Sequence, residues 1–359
     1  MNIKLSIIQR YIYLFLISFS LSYFFLSTNN AFSKNLKIEN IEISKKFDEK
    51  FNRDKVIDEG FNLAFKELIF MLVQSQDHPK IKDITLENIK ILVENFSIKE
   101  EKFLSNIYHV SLDVEFSKRK IFSLLEKKNV FPALPKKKKV MFIPILIDEE
   151  KNDIVLFSEN DIYNNWIKNN DKKFLLEYIL PNEDLEDVKI IKENYSDLED
   201  YDFKDIIEKY SLESYIISLF YKNSQKVRVL SKVNFNNSLI LDNQYFNNYN
   251  SEDELNNLIK VTKIRFNDLW KKENQINTSI KLPLIITVDL NDNKKIEDFE
   301  KIVDDLDLVS SFFISKIDNK KIYYTLIYNG TPKAFISSIE NFGYIIDFKN
   351  KIWNLQWQI

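Results

Sequence analysis

The chain has 359 residues, 45% of them hydrophobic and 14% aromatic, which is apolar material for two or three cores, since one core rarely grows beyond about 250 residues. Its formal charge of −3 offers no broad basic face for nucleic acid. The absence of cysteine excludes disulfides, thiol catalysis and zinc–cysteine sites, and glycines only at 60, 330 and 343 exclude a dinucleotide fingerprint, a P-loop and a G-x-S-x-G elbow.

Residues 1–33 read as a secretory signal. Lys4 and Arg10 precede the uncharged apolar stretch Tyr11–Ser27, and Ala31 and Ser33 supply the small residues a signal peptidase needs. An uncleaved inner-membrane anchor is the alternative, because that stretch is at the short edge of a spanning helix. Removing Lys4 and Arg10 takes the formal charge from −3 to −5. The chain is therefore expected in the periplasm.

Three blocks follow, at 34–135, 136–278 and 279–359. The first opens with the alternating strand Leu36–Ser44. A long helix from Arg53 to Gln74 then recurs apolar at Val56, Gly60, Leu63, Ala64, Leu68, Met71 and Leu72, one wide buried face, until Pro79 breaks the pattern. A short helix, a hairpin and a helix capped by Ser117 complete a helix-on-sheet α+β unit.

In the second block, Val140–Ile147 is a continuous apolar run of the kind buried on both faces. Pro144 argues against a central place for it unless a bulge accommodates the ring. Alternating helices and strands, ending in a long amphipathic helix capped by Ser251, predict a three-layer α/β unit. The third block reads strand, helix, strand, strand, helix, strand, the ferredoxin-like βαββαβ order. Its aromatics Tyr323, Tyr324, Phe335, Phe342, Trp353 and Trp357 are phased as core.

The helix "GFNLAFKELIFMLVQ" and the tail "YHVSLDVEFSKRKIFSLLEKKNVFPALP" before an apolar strand resemble a family of proteobacterial envelope proteins catalogued as domain of unknown function two-thousand-and-sixty-six. The sequence departs from that pattern at Gln74, Ser75 and Gln76, where an Arg and a Gly are usual. It departs again at Ala133 and the lysines after it, where a Trp and an Arg-Pro pair are usual. The resemblance implies a TolB-like middle unit and brings no catalytic residues with it.

Few residues point to chemistry. His78, before Pro79, is expected to be a solvated loop residue, and His109 to sit on the polar face of its strand. Asp289, Asn291, Asn293, Glu297 and Glu300 imitate the ligand spacing of a calcium loop. Lys294 stands where that loop's sharp turn needs Gly, and the incoming segment is a strand, so a strand–turn–helix connection is expected instead. Glu183 and Asp187 are a conceivable glycosidase pair within acidic stretches that otherwise read as solvated. Lys136, Lys137, Lys138 and Lys139 form a junction before the second block, and an anionic surface is the alternative reading for them, at about 1 kcal/mol per Lys. No cofactor or metal is expected. The sequence thus predicts a non-enzymatic periplasmic interaction or assembly module for other envelope proteins. The alternatives are a membrane-anchored subunit of an envelope or flagellar-base assembly, and a carboxylate-dependent cell-wall or glycan hydrolase.

Overall fold

A computed structural model describes residues 36–168, 173–236, 238–290, 293–349 and 352–357. The proposed signal at 1–33 lies outside the described residues, as does Asn291. Three separate sheets and nine α-helices among the described residues make this a mixed α+β protein.

The first sheet holds β1 (Leu36–Lys46), β2 (Val93–Leu104) and β3 (Ile107–Phe116) in the order β1-β3-β2, antiparallel throughout. The alternating residues Tyr108, Val110, Leu112, Val114 and Phe116 of β3 face α1 (Arg53–Leu72), whose first turn is capped by the Asn52 side chain. The buried face of α1 runs through Val56, Gly60, Ala64, Leu68 and Leu72 as the spacing predicts. Leu63, however, is exposed, and Phe61 and Phe65 fill the groove instead. Gly60 permits this seat, because a Cβ there would overlap the Leu112 side chain. A bulge in β1 sets Asn40 at φ 57°, and its N–H donates to the buried Asp113 carboxylate at 3.1 Å. Helix α2 (Leu86–Leu92) and helix α3 (Lys118–Lys127) follow. Ser117 takes the N-cap position of α3 but its side chain makes no capping bond.

The second sheet contains β4 (Lys138–Asp148), β5 (Asp153–Val155), β6 (Leu176–Ile179), β7 (Tyr215–Lys222), β8 (Lys226–Phe235) and β9 (Ser238–Asn247). Strand β4 is central after all. It runs parallel to β7 in unbroken register, and on its other side β6 pairs with 138–141 and β5 with 146–148. Pro144 falls between those two short partners, so its missing N–H faces a gap. Its carbonyl points the same way and accepts from Asn160 Nδ2 at 3.2 Å. No bulge is needed.

One face of β4, with Val140, Phe142 and Leu146, packs under α4 (Asp161–Lys168) and α7 (Glu252–Glu273). The other, with Met141, Ile143, Ile145 and Ile147, packs under α5 (Leu185–Glu193) and α6 (Lys204–Glu208). Three layers result. The sequence reading missed α5, whose acidic start looked like a loop. Asp184 accepts from Glu186 N as its cap, and the carboxylates favour the positive helix end.

The third sheet departs from the expected pattern. It contains β10 (Leu282–Asp289), β11 (Val309–Ile317), β12 (Lys321–Tyr328), β13 (Tyr344–Lys349) and β14 (Ile352–Trp357), with α8 (Asn293–Asp305) and α9 (Pro332–Glu340) between strands. β12 lies antiparallel between β10 and β11, the expected split βαβ. The place beside β10 that a fourth ferredoxin-like strand would take is filled by β14, parallel to β10, with β13 outside it. The order read from the sequence ends on a single strand after the second helix, where the structure has two, β13 and β14. Thr287 Oγ1 on β10 meets Asn354 Oδ1 on β14 at 2.5 Å. Tyr324 and Phe335 are core, as their phasing predicts, whereas Phe342, after α9, is exposed.

Candidate functional site

Two regions combine chemistry with exposure. The first is the junction between the first two blocks. Helices α1 and α7 each end with carbonyls that have no partner within the helix, and the segment 131–136 passes between those ends and supplies donors. Ala133 N donates to Leu72 O at 2.7 Å, and Leu134 N to Asn274 O at 3.1 Å. In return Ile276 N donates to Pro132 O at 2.8 Å and Trp270 Nε1 to Lys136 O at 2.7 Å.

Beside this strap, Lys271 of α7 is 1% exposed. Its Nζ donates to Val73 O at 2.7 Å and to Asp268 Oδ1 at 3.1 Å, and lies 4.9 Å from the Phe70 ring centre. Asp268 accepts in turn from Ser75 N and, at 2.5 Å, from Ser75 Oγ. Burial pushes the Lys271 amine below its ordinary range, opposed by Asp268. His78 is not solvated. It packs half-buried against this cluster, with Nε2 3.1 Å from Val73 O, and burial lowers its pKa. A cavity of about 430 Å³, lined by Gln74, Asp77, Asn129, Arg265, Asp268 and Gln275 among others, opens alongside. A serine, a carboxylate, an amine and an imidazole thus gather within one cluster. Their hydrogen bonds run to helix-end carbonyls and to one another, which is the work of a clasp between α1 and α7.

The second region is the tip of the β2–β3 hairpin. Ser105 and Asn106 both have positive φ, the geometry of a tight two-residue hairpin turn. Beside the turn, Phe103, Leu104 and Ile107, with Phe47 after β1, are 39–59% exposed. The Phe47 ring lies 4.9 Å from Phe51 and 5.1 Å from Phe103, and Tyr108 backs the cluster 5.0 Å from Phe103. Below it, Glu101 accepts from Arg53 Nε and from Tyr108 OH, both at 2.7 Å. Those bonds, Arg53 first and Tyr108 second, hold Glu101 down at about 2, and burial with the Glu101 bond pushes Tyr108 up to about 12. The apolar tip therefore stands on a fixed polar base. The sequence reading missed it. The available signal was Phe103-Leu104 followed at once by Ile107: adjacent strand residues face opposite ways, so a run of this kind at a turn covers both faces with apolar groups.

The residues singled out from sequence are dispersed. Lys138 and Lys139 belong to β4, where Lys138 Nζ donates to Asn236 Oδ1 at 3.0 Å and Lys139 lies 3.9 Å from Glu177. Neighbouring strand positions point to opposite faces, so Lys138 and Lys139 project to opposite sides of the sheet, and Lys136 and Lys137 precede the strand. Asp289 ends β10 and lies 3.8 Å from Lys321, Asn293 and Glu297 are in α8, and Glu300 accepts from Tyr324 OH at 2.7 Å. That connection is strand to helix, and among the described residues no group of three or more metal-ligating side chains gathers. Asp187 is buried against Lys209 at 2.6 Å, and Glu183 accepts from Ser158 Oγ at 2.9 Å. His109 Nδ1 lies 2.7 Å from Ser44 Oγ on the outer face of the first sheet. Among the described residues no helix is long and apolar enough to cross a membrane. Comparison with protein-family models and with curated proteins finds no match to this sequence.

Proposed function

We propose that this chain is a non-enzymatic, exported interaction module of the cell envelope that binds another protein through the β2–β3 hairpin tip. The observation that carries this reading is the exposed apolar tip, with Phe47 and Phe103 in ring contact on one face and Leu104 paired with Ile107 on the other. Isolated exposed apolar residues are ordinary on a protein surface, but a contiguous aromatic group on a rigid hairpin marks a contact site. Glu101, Arg53 and Tyr108 keep the tip ordered before any partner arrives, which lowers the entropic cost of binding. Lysines near the tip (Lys45, Lys46, Lys50 and Lys102) are balanced by Asp48, Glu49, Glu59 and Glu100, and this mixed charge favours a protein over an anionic lipid surface.

The test is a photoreactive side chain placed at Phe103 in living cells, with Lys260 on α7 as the control position. A dominant adduct with one envelope protein at Phe103 and none at Lys260 is the expected result. Adducts confined to lipid or to general chaperones would overturn the reading.

A further inference from the structure

Seven strands form sheet edges among the described residues, and six of them carry features that discourage pairing with another strand. Strand β1 has a bulge between Ile38 and Ile41 and charges at Lys37, Glu39, Glu42, Lys45 and Lys46. Strand β2 has two register shifts and five charged residues, and β11 has two register shifts. On the second sheet, β5 and β6 share one edge and are three and four residues long. Strand β13 has six residues, including Asp347 and Lys349.

Strand β9, the opposite edge of the second sheet, is neither short nor shifted in register. It pairs with β8 through ten consecutive residues without a shift, and contains neither proline nor lysine. Its one charge, Asp242, is bound by Arg265 at 2.7 Å. Leu239, Leu241 and Tyr245 are 58–68% exposed on one face.

The direction of its free backbone groups follows from the hairpin. Phe235 and Ser238 close it across two residues, and Asn248 N donates to Gln225 O at 3.0 Å beyond the far end. Even-numbered residues of β9 therefore turn N–H and C=O toward β8, and odd-numbered ones turn them outward. The outward set is centred on Asn243, and from Ile240 to Phe246 polarity is mirrored about that residue, while Leu239 and Asn247 beyond them differ. Asp242 and Gln244 are polar, Leu241 and Tyr245 apolar, and Ile240 and Phe246 apolar.

From this we infer that two copies of the chain join edge to edge through β9, antiparallel about a twofold axis at Asn243, to form one continuous sheet. In that register Leu241 faces Tyr245 of the second copy, Ile240 faces its Phe246, and Asp242 faces its Gln244. Moving the axis to residue 242 sets Asp242 against Asp242. Axes at 241 and 244 set it against Ile240 and Phe246. Among these registers the one at Asn243 matches polarity on both faces from Ile240 to Phe246 while pairing the outward backbone groups, and an axis at residue 240 matches polarity only over the short overlap 238–242.

Sedimentation velocity on the chain as cells process it tests this. The wild type is expected to sediment as a dimer. Asn243→Pro removes an outward N–H without touching the β8 ladder, and Leu241→Lys/Tyr245→Lys charges the edge. Either change should weaken dimerisation at least about tenfold with an unchanged circular dichroism spectrum. Because the chain has no other thiol, Asn243→Cys gives a register test: narrow antiparallel pairs set Cα atoms about 5.5 Å apart, within disulfide range, so mild oxidation should yield a covalent dimer faster than with Leu239→Cys. A monomeric wild type would overturn the proposal. So would dimers that survive in both edge variants, or equal crosslinking at residues 239 and 243.

Discussion

Lys271 Nζ lies 2.7 Å from the carbonyl oxygen of Val73, a residue 198 positions earlier in the chain. The contact sets a buried cation at the C-terminal end of α1, where the helix dipole and the unpaired carbonyls favour positive charge. Asp268 supplies the counter-charge one turn away on α7 and binds Ser75 in turn. The first two blocks are thereby joined through a polar network beside the 131–136 strap.

Breaking that network from one side is expected to be costly. Lys271→Met leaves Asp268 buried without its cation, and removing one partner of a buried pair typically costs about 3–5 kcal/mol. Adding Asp268→Asn should recover part of the loss, because the uncompensated charge goes too. Urea denaturation of the single and double variants measures both steps, and a single variant as stable as the wild type would contradict the clasp.

Acid should weaken the base of the hairpin tip through Glu101. Bonds from Arg53 and Tyr108 lower its pKa from an ordinary 4.5 to about 2, so between those values the unfolded chain binds more protons than the native one. Stability from this group is complete above about 4.5 and is lost as the pH falls toward 2. The stability difference between wild type and Glu101→Gln should therefore shrink across that window. A difference that stays constant would show that the carboxylate is not held in this way.

Gly60→Ala is expected to destabilise the chain although alanine is the better helix former. The gain in helix propensity is about 1 kcal/mol. Against it, the new Cβ meets the fully buried Leu112 side chain, with Ile43 Cδ1 3.3 Å away, and overpacking of this kind costs about 1–3 kcal/mol. A raised thermal midpoint would mean that α1 can shift off the sheet freely.

Local pattern made much of the fold legible. The apolar run of β4 announced a strand buried on both faces, and the period of α1 marked its seat on the first sheet. What failed depended on partners distant in sequence. Pro144 is tolerated because β5 and β6 leave a gap beside it, and β14 enters the third sheet beside β10 because β13 and β14 pair as a hairpin. Neither fact is written locally. The candidate sites were less legible still. Lys271 and Asp268 look like solvent charges until Val73 and Ser75 are brought to them, and Phe103, Leu104 and Ile107 gain meaning only when Phe47 joins them at the tip.

The most direct test of the central claim compares wild type with Phe103→Ser/Leu104→Ser after crosslinking in intact cells, scoring each recovered envelope protein by quantitative mass spectrometry. Both substitutions lie at exposed positions, so the fold should persist and circular dichroism can verify it. If the hairpin tip is the contact surface, one envelope protein recovered with the wild type falls at least about tenfold with the folded variant. Equal recovery of every envelope protein from both would contradict the account.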